Sequence, residues 1–275
     1  MEPAFVPDRV IEGDCLDVLA CFPDACVDLV VTSPPYADKR SHTYGGIEAD
    51  KYVGWFLPRS AQFLRVLRPS GSFVLNIKEG CKDGERQTYV MELVMALRRQ
   101  GWLWVEEYIW HKATAMPGKW PNRFRDAWEH CYHFTKQRSF SMHQEAVMVP
   151  AAESTVRRAE SSARADGRED VRKETKTGSG FGRNRARWIG KDMVLPTNVV
   201  YLSPEFTNQS HSAVFPVGLP EWFIRLFTLP GETVLDPFCG SGTTCLAAKR
   251  LGRHWVGIET VPGFVPVAEK KIEEG

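Results

Sequence analysis

Short apolar runs alternate along the chain with segments in which apolar residues recur at helical spacing. The runs at residues 9–14 and 27–31 predict two buried strands, and the second is stopped by two consecutive prolines, which cannot donate backbone hydrogen bonds. Apolar positions between residues 52 and 67 follow a helical period, and residues 72–77 form another apolar run. This segment therefore predicts a strand, a helix and a strand in succession.

The same alternation continues to the end of the chain. A helix is predicted over residues 89–97, closed by Gly101, and a strand over residues 102–110. After residue 196 the pattern predicts helices near residues 220–227 and 243–251, strands at 233–235 and 254–258, and a last helix ending near Glu274. Repeated alternation predicts an α/β fold with a mostly parallel sheet and helices on both faces.

Residues 117–196 differ in character from the rest of the chain. Residues 151–180 are rich in charged and small polar side chains with few large apolar ones, so they cannot bury much core, and we expect a mobile insert. Residues 151–191 hold 11 basic and 6 acidic residues, a local charge of +5 in a chain with a formal net charge of +1. We therefore predict one domain formed by residues 1–116 and 197–275, interrupted by an insert at 117–196.

Composition narrows the class of protein further. The 275 residues, 43% hydrophobic and 25% charged, are typical of a globular protein, and this length suits one elaborated α/β domain. The 7 cysteines include no C-x-x-C pair, and His130, His133 and His143 lack a metal-ligand spacing, so no metal site is expected. With neither a basic, apolar leader nor about 18 consecutive apolar residues, the chain is expected to be cytoplasmic.

A glycine-containing loop after a predicted strand suggests a cofactor site. In Asp236-Pro237-Phe238-Cys239-Gly240-Ser241-Gly242-Thr243 the glycines allow a tight turn, and the helix that follows offers free N–H groups. The loop lacks the third glycine of the dinucleotide motif, and no Walker sequence is present, so NAD and ATP are disfavoured. Glu259 ends the next strand, where a carboxylate can accept hydrogen bonds from ribose hydroxyls. A simple turn is the alternative.

A second loop, Thr32-Ser33-Pro34-Pro35-Tyr36, follows the strand at residues 27–31. Its two prolines fix their own backbone angles and hold Ser33 extended, so the carbonyls and the tyrosine ring are presented rigidly at the end of a strand. On its own, this segment could equally be a turn that terminates a strand.

Together the two loops resemble the hallmark motifs of the DNA amino-methyltransferases, which transfer a methyl group from S-adenosylmethionine to an exocyclic base nitrogen. The order of the motifs resembles the permuted β group, in which a target-recognition region lies between them. The resemblance implies a Rossmann-like fold with a seven-stranded sheet. It also implies catalytic roles for Ser33, Pro34, Pro35 and Tyr36, and cofactor binding by Asp14, Cys15, Thr32, Asp236, Pro237, Phe238, Cys239, Gly240, Ser241, Gly242, Thr243 and Glu259. Helix capping is the alternative role for Asp14.

Serine at the first position of Ser33-Pro34-Pro35-Tyr36 is the form usual in cytosine-N4 members of that family, whereas Asp or Asn is usual in adenine-N6 members. Ser33 and the Pro34 carbonyl are expected to accept hydrogen bonds from the amino group, and Tyr36 to stack on a base rotated out of the duplex. No Pro-Cys dipeptide occurs, which disfavours cytosine-C5 chemistry. Adenine-N6 methylation, a catalytically silent DNA-binding relative and an RNA substrate remain alternatives.

Double-stranded DNA is the expected partner, held by basic side chains outside the core. The candidates are Lys39, Arg40, His42, Lys119, Arg123, Arg125, Arg183, Arg185 and Arg187, all near aromatic residues or the second loop; a solvated surface is the alternative. The resemblance also suggests a homodimer and a cognate restriction endonuclease in the same restriction–modification system. No membrane contact is expected.

Overall fold

The computed structural model describes residues 5–39, 46–114, 121–151, 192–204 and 215–275. Strands and helices alternate as the sequence pattern predicts. In the first part of the chain they are β1 (Arg9–Glu12), α1 (Cys15–Ala20), β2 (Val27–Thr32), α2 (Tyr52–Val66), β3 (Leu67–Ile77), β4 (Cys81–Lys82), β5 (Glu85–Arg86), α3 (Tyr89–Gln100), β6 (Leu103–Lys112) and β7 (Trp128–Thr135). Then follow β8 (Val149–Pro150), β9 (Met193–Val194), β10 (Val199–Leu202), α4 (Gly218–Phe227), β11 (Thr233–Asp236), α5 (Thr243–Arg250), β12 (His254–Glu259) and α6 (Val265–Glu274).

Eight strands form the main sheet, in the order β1-β12-β11-β2-β3-β7-β6-β10. All neighbours are parallel except that β7 runs antiparallel to both β3 and β6. The expected α/β class and mostly parallel sheet are confirmed. The expected seven strands become eight because the short run Val199–Leu202 adds an edge strand beside β6.

Helices cover both faces of the sheet. Helices α1, α2 and α3 pack together in one layer, and α4, α5 and α6 pack together in another. Strands β2 and β11 are buried along their whole length, as expected for strands between two helical layers. Helix α2 buries Tyr52, Phe56 and Phe63 in the core, which explains the helical spacing seen in the sequence.

Strand β7 corrects the predicted start of the insert. The sequence pattern places residues 117–196 in the insert, yet Trp128–Thr135 form a strand of the main sheet between β3 and β6. The strand carries two buried aromatic residues, Tyr132 and Phe134, whose burial in the core holds it there. The compact unit that contains the sheet comprises residues 1–143 and 197–275, and the second unit comprises residues 144–196.

The second unit is described only at its two ends. It contains a short 3-10 helix at Gln144–Val147 and the antiparallel pair β8 and β9. Residues 152–191, which include the predicted mobile basic segment, lie outside the described residues. In the part of the chain that the structure describes, no helix is long and apolar enough to cross a membrane.

Candidate active site

The two sequence motifs meet at the carboxyl edge of the sheet, because β2 and β11 are adjacent parallel strands. Thr32, the last residue of β2, donates a 2.6 Å hydrogen bond from Oγ1 to Oδ1 of Asp236, the last residue of β11. The same carboxylate oxygen accepts a 3.1 Å bond from the backbone N–H of Phe238. Ligands of open α/β sheets bind at this edge of the sheet.

The loop after β11 is built around left-handed glycines. Gly240 has φ +53° and Gly242 has φ +81°, values that favour glycine because it lacks a Cβ. A Cβ on Gly240 would meet no atom within 4 Å, whereas one on Gly242 would lie 3.1 Å from Ala268. Gly240 therefore borders open space, and Gly242 borders the packed helix α6. The Cys239 N–H completes the turn by donating to the Ile258 carbonyl at 2.9 Å.

Glu259 holds this loop from the neighbouring strand β12. Its Oε2 accepts a 2.7 Å bond from the Gly240 N–H, and its Oε1 accepts a 2.8 Å bond from the Val261 N–H. Burial raises the pKa of the Glu259 carboxyl, while these backbone donors favour its charged form. Each carboxylate oxygen keeps a lone pair for a further donor, such as a ribose hydroxyl.

Asp236, like Glu259, is a buried acid at the end of its strand. Its side chain is buried beneath the loop, and burial raises the pKa of its carboxyl. The hydrogen bond from Thr32 has the opposite, smaller effect, because it favours the charged form. The observed contacts therefore show Asp236 joining the two loops. Of the other residues expected at the cofactor site, Pro237 and Cys239 are buried, and Thr243 accepts a 2.7 Å bond from Lys271.

Two features of this edge fit an adenosyl cofactor. The hydroxyl oxygen of Ser241 is buried and has no hydrogen-bond partner among the described residues, so a polar ligand group could satisfy it. The open space in front of Gly240 adjoins the buried acid Glu259. The residues present thus supply an unpartnered hydroxyl, an acceptor for ribose hydroxyls and room for a ligand.

An aromatic cluster and an ion pair flank the cofactor loop. Phe238 packs against Trp55 and Phe56 of α2, with ring centroids 5.6 and 6.4 Å apart. Asp14 caps α1 by accepting a 2.8 Å bond from the Leu16 N–H, which confirms the capping role, and its other oxygen lies 2.5 Å from Arg59 Nη2. Cys15, the first residue of α1, is buried, and burial raises the pKa of its thiol to about 12.

The second loop is fixed by tyrosine hydroxyls. Tyr52 donates a 2.9 Å bond to the Pro35 carbonyl from the neighbouring helix α2. Ser33 Oγ donates to Tyr36 Oη at 3.3 Å, and Tyr36 Oη donates to Oε2 of Glu129 at 2.6 Å. Burial and the nearby Glu129 carboxylate raise the pKa of Tyr36 well above its usual value, so the phenol keeps its proton.

The network includes three residues that the sequence analysis does not place at the active site. They are Asn76 at the end of β3, Lys112 at the end of β6 and Glu129 near the start of β7. Lys112 Nζ lies 2.5 Å from Glu129 Oε1, and Asn76 Oδ1 lies 3.4 Å from Tyr36 Oη. Glu129 is the acidic residue of β7, a strand whose other side chains are mostly aromatic, and this contrast could have marked it once β7 was recognised.

The residues expected to bind DNA are only partly described. Lys39 is exposed three residues after Tyr36, and its backbone N–H donates to the Tyr36 carbonyl at 3.2 Å. Arg125 is exposed beside Phe124, whose side chain is 95% exposed, while Arg123 forms a 3.4 Å ion pair with Asp126. Arg40, His42, Lys119, Arg183, Arg185 and Arg187 lie outside the described residues.

The fold and the paired loops define a class of protein, the α/β methyltransferases, and comparisons with known proteins specify the family. A family model described as DNA methylase, covering N6 and N4 enzymes, matches residues 27–270. The chain belongs to this family of DNA methyltransferases. Family membership confirms the expected chemistry, methyl transfer that depends on S-adenosylmethionine.

Individual relatives span nearly the whole chain. The type II methyltransferase M.PvuII of Proteus hauseri is 30% identical over 274 residues, covering 92% of this chain and 80% of its own. The type II methyltransferase M.Cfr9I of Citrobacter freundii is 26% identical, and the alignment covers 96% of this chain and 87% of the relative. Among solved structures, the PvuII DNA methyltransferase (cytosine-N4-specific) aligns with a TM-score of 0.71 at 26% identity, covering 99% and 93%. The M1.HpyAVI–SAM complex shares the fold, with a TM-score of 0.57 at 19% identity and 96% and 98% coverage.

Proposed function

We propose that this protein methylates the exocyclic N4 of cytosine in a specific duplex DNA sequence, as the modification enzyme of a restriction–modification system. The observation that carries the proposal is the position of Ser33. It directly follows Thr32, which is bonded to Asp236 of the glycine loop, so the predicted acceptor for the amino group adjoins the predicted cofactor site. The similarity to the cytosine-N4-specific PvuII enzyme supports the same substrate.

The glycine loop would hold S-adenosylmethionine. Glu259 would accept hydrogen bonds from the ribose hydroxyls, Ser241 would bond a polar group of the cofactor, and the Gly240 backbone would approach it closely. When bound, the cofactor supplies a methyl group on a positively charged sulfur. The neighbouring acids, Glu259 and Asp236, favour that positive charge if they are ionised.

The second loop would receive the target base. The amino nitrogen of cytosine is a poor nucleophile because its lone pair is delocalised into the ring. Ser33 Oγ and the Pro34 carbonyl would accept its two N–H bonds and favour localisation of the lone pair on nitrogen. The Tyr36 ring would stack on the base, and rotation of the base out of the duplex would bring it there.

DNA would be held by exposed side chains around the carboxyl edge of the sheet. Lys39 and Arg125 are exposed and carry positive charge suited to phosphate oxygens, and Phe124 offers an exposed aromatic face. The unit at residues 144–196 would provide target recognition in the major groove. Homodimerisation and a cognate endonuclease remain part of the proposal through the similarity to type II methyltransferases.

The test is to incubate the purified protein with S-adenosylmethionine and mixed-sequence duplex DNA, digest the DNA to nucleosides and identify the methylated species by mass spectrometry. We expect N4-methylcytosine, and we expect Ser33→Ala to abolish it while cofactor binding by calorimetry is retained. Formation of N6-methyladenine would support the alternative substrate, adenine. Absence of any methylated base would contradict the proposed enzyme.

A further inference from the structure

Glu129 lies at the end of a directed chain of hydrogen bonds that begins at Ser33. Ser33 Oγ lies 3.3 Å from Tyr36 Oη, Tyr36 Oη lies 2.6 Å from Glu129 Oε2, and Glu129 Oε1 lies 2.5 Å from Lys112 Nζ. The chain joins the loop after β2 to the neighbouring strands β7 and β6. It therefore connects the loop that would receive the base to Glu129 on β7 and, through it, to Lys112 at the end of β6.

The direction of this chain follows from the number of protons available. A carboxylate can only accept, so Tyr36 must give its single hydroxyl proton to Glu129. Tyr36 Oη can then only accept from Ser33. Ser33 in turn gives its single proton to Tyr36, and its free lone pairs remain as acceptors.

Among the residues that the structure describes, the neighbours of Tyr36 leave no alternative direction. Asn76 Oδ1, 3.4 Å from Tyr36 Oη, is also an acceptor, because the Asn76 amide group donates to the His130 carbonyl at 3.0 Å. Glu129 forms an ion pair with Lys112, and its side chain is only 12% exposed. Burial and Glu129 raise the pKa of Tyr36, so the phenol remains a donor.

We propose that Glu129 is a positioning residue for methyl transfer, which acts through Tyr36 to keep the Ser33 hydroxyl oriented as a hydrogen-bond acceptor for the target amino group. This proposal rests on the proposed function. An amino group presents only N–H donors during attack, so a serine whose proton points toward it would repel it. By fixing the direction of the chain in advance, Glu129 removes the need to reorient Ser33 when the base enters.

The experiment compares Glu129→Gln, Tyr36→Phe and the double variant with the wild-type protein. Glutamine keeps the shape of the side chain but can donate as well as accept, so it no longer fixes the direction of the Tyr36 proton. We expect each single variant to lower kcat by about tenfold or more, with KM for DNA and Kd for S-adenosylmethionine little changed. The double variant should be no slower than the slower single variant, because the residues act as one chain.

Two further variants separate positioning from general stability. Glu129→Asp keeps the carboxylate and should recover part of the lost kcat. Glu106→Gln removes an exposed carboxylate on the adjacent strand β6 and should leave kcat unchanged. The free energy of unfolding of each variant is measured in parallel, so a variant that has merely unfolded is recognised.

The proposal is overturned if Glu129→Gln turns over at the wild-type rate, if only KM for DNA rises, or if the losses of the two single variants multiply in the double variant. Those results would leave wild-type methylation intact. Failure of the proposed function is distinct, because then the wild-type protein itself would transfer no methyl group to DNA.

Discussion

Thr32 and Asp236 lie 204 positions apart in the chain, and the hydroxyl of the first donates a 2.6 Å hydrogen bond to the buried carboxylate of the second. The bond joins the ends of two adjacent parallel strands. Through it, the loop that would receive the target base is fixed relative to the loop that would hold the cofactor. A direct methyl transfer needs this relative position to be accurate.

Replacing Thr32 by valine tests this link. Thr32→Val keeps the shape of the side chain but leaves the buried Asp236 carboxylate with one hydrogen bond fewer. We expect the free energy of unfolding to fall by about 1–3 kcal/mol, measured by urea denaturation, together with slower methyl transfer. Thr32→Ser is the matched control. It should retain most of the free energy of unfolding and most of the methyl-transfer rate, because it keeps the hydroxyl. Equal stability of the two variants would contradict the role assigned to the bond.

The two glycines of the cofactor loop should respond differently to alanine. Gly240→Ala places a methyl group in open space, so we expect the protein to remain folded while Kd for S-adenosylmethionine, measured by calorimetry, rises markedly. Gly242→Ala places its methyl group 3.1 Å from Ala268 of α6. The positive φ should lower the free energy of unfolding of either variant by about 1–2 kcal/mol. The contact with α6 should lower it further only in Gly242→Ala.

Thermal unfolding of both variants, with and without cofactor, separates the two effects. Gly240→Ala should melt closer to the wild type in the absence of cofactor and gain less stabilisation from adding it. A Gly240→Ala protein that binds the cofactor as tightly as the wild type would show that the open space in front of this residue is not the cofactor site.

The sequence predicts the two loops well because each carries local signals. Prolines terminate β2, glycines turn the chain after β11, and the carboxyl ends of parallel strands meet at one edge of the sheet. The Thr32 to Asp236 contact follows from strand order, which the alternation of helices and strands alone does not specify. The family resemblance supplied the pairing of the loops.

Glu129 and Lys112 could not be placed in the same way. Their contact depends on β7 running antiparallel between β3 and β6, with Glu129 opposite Trp110 in the register. Such a pairing is made between distant segments, and nothing in the local sequence specifies its register. Strand β10 was missed because it is a short run of four residues at the sheet edge. The antiparallel strand β7 and the short edge strand β10 thus escaped prediction, whereas the strands β1, β2, β3, β11 and β12 did not.

Lys39 provides a test of the DNA surface. Its side chain is exposed close to the loop that would receive the base, so Lys39→Ala should weaken DNA binding through loss of one phosphate contact. We expect the slope of log Kd against log salt concentration to fall by about 0.9, with the weakening similar for specific and nonspecific duplexes. Fluorescence anisotropy at several salt concentrations measures the salt slope and the loss of affinity for each duplex. Lys270→Ala, on the exposed surface of α6, is the control and should change neither.

The lowered pKa of Glu79 predicts how the free energy of unfolding depends on pH. Burial opposes ionisation of this carboxyl, but His130, the backbone and Lys78 outweigh it and lower its pKa to about 2, from 4.5. A depressed pKa in the folded state means that Glu79 stabilises the protein above pH 4.5 and that this contribution is lost as the pH falls toward 2. Urea denaturation between these limits should show the loss, which is on the order of 2–3 kcal/mol.

Glu79→Gln cannot titrate, so its free energy of unfolding should be lower than that of the wild type at pH 5 and should decline less steeply below that pH. Because the partner His130 is within 3.3 Å, the variant also leaves that ring with one carboxylate neighbour, Glu107, at 2.5 Å. Glu85→Gln, on the exposed strand β5, is the matched control and should follow the wild-type curve. Parallel curves for Glu79→Gln and the wild type below pH 4.5 would show that the pKa of Glu79 is not lowered in the folded protein.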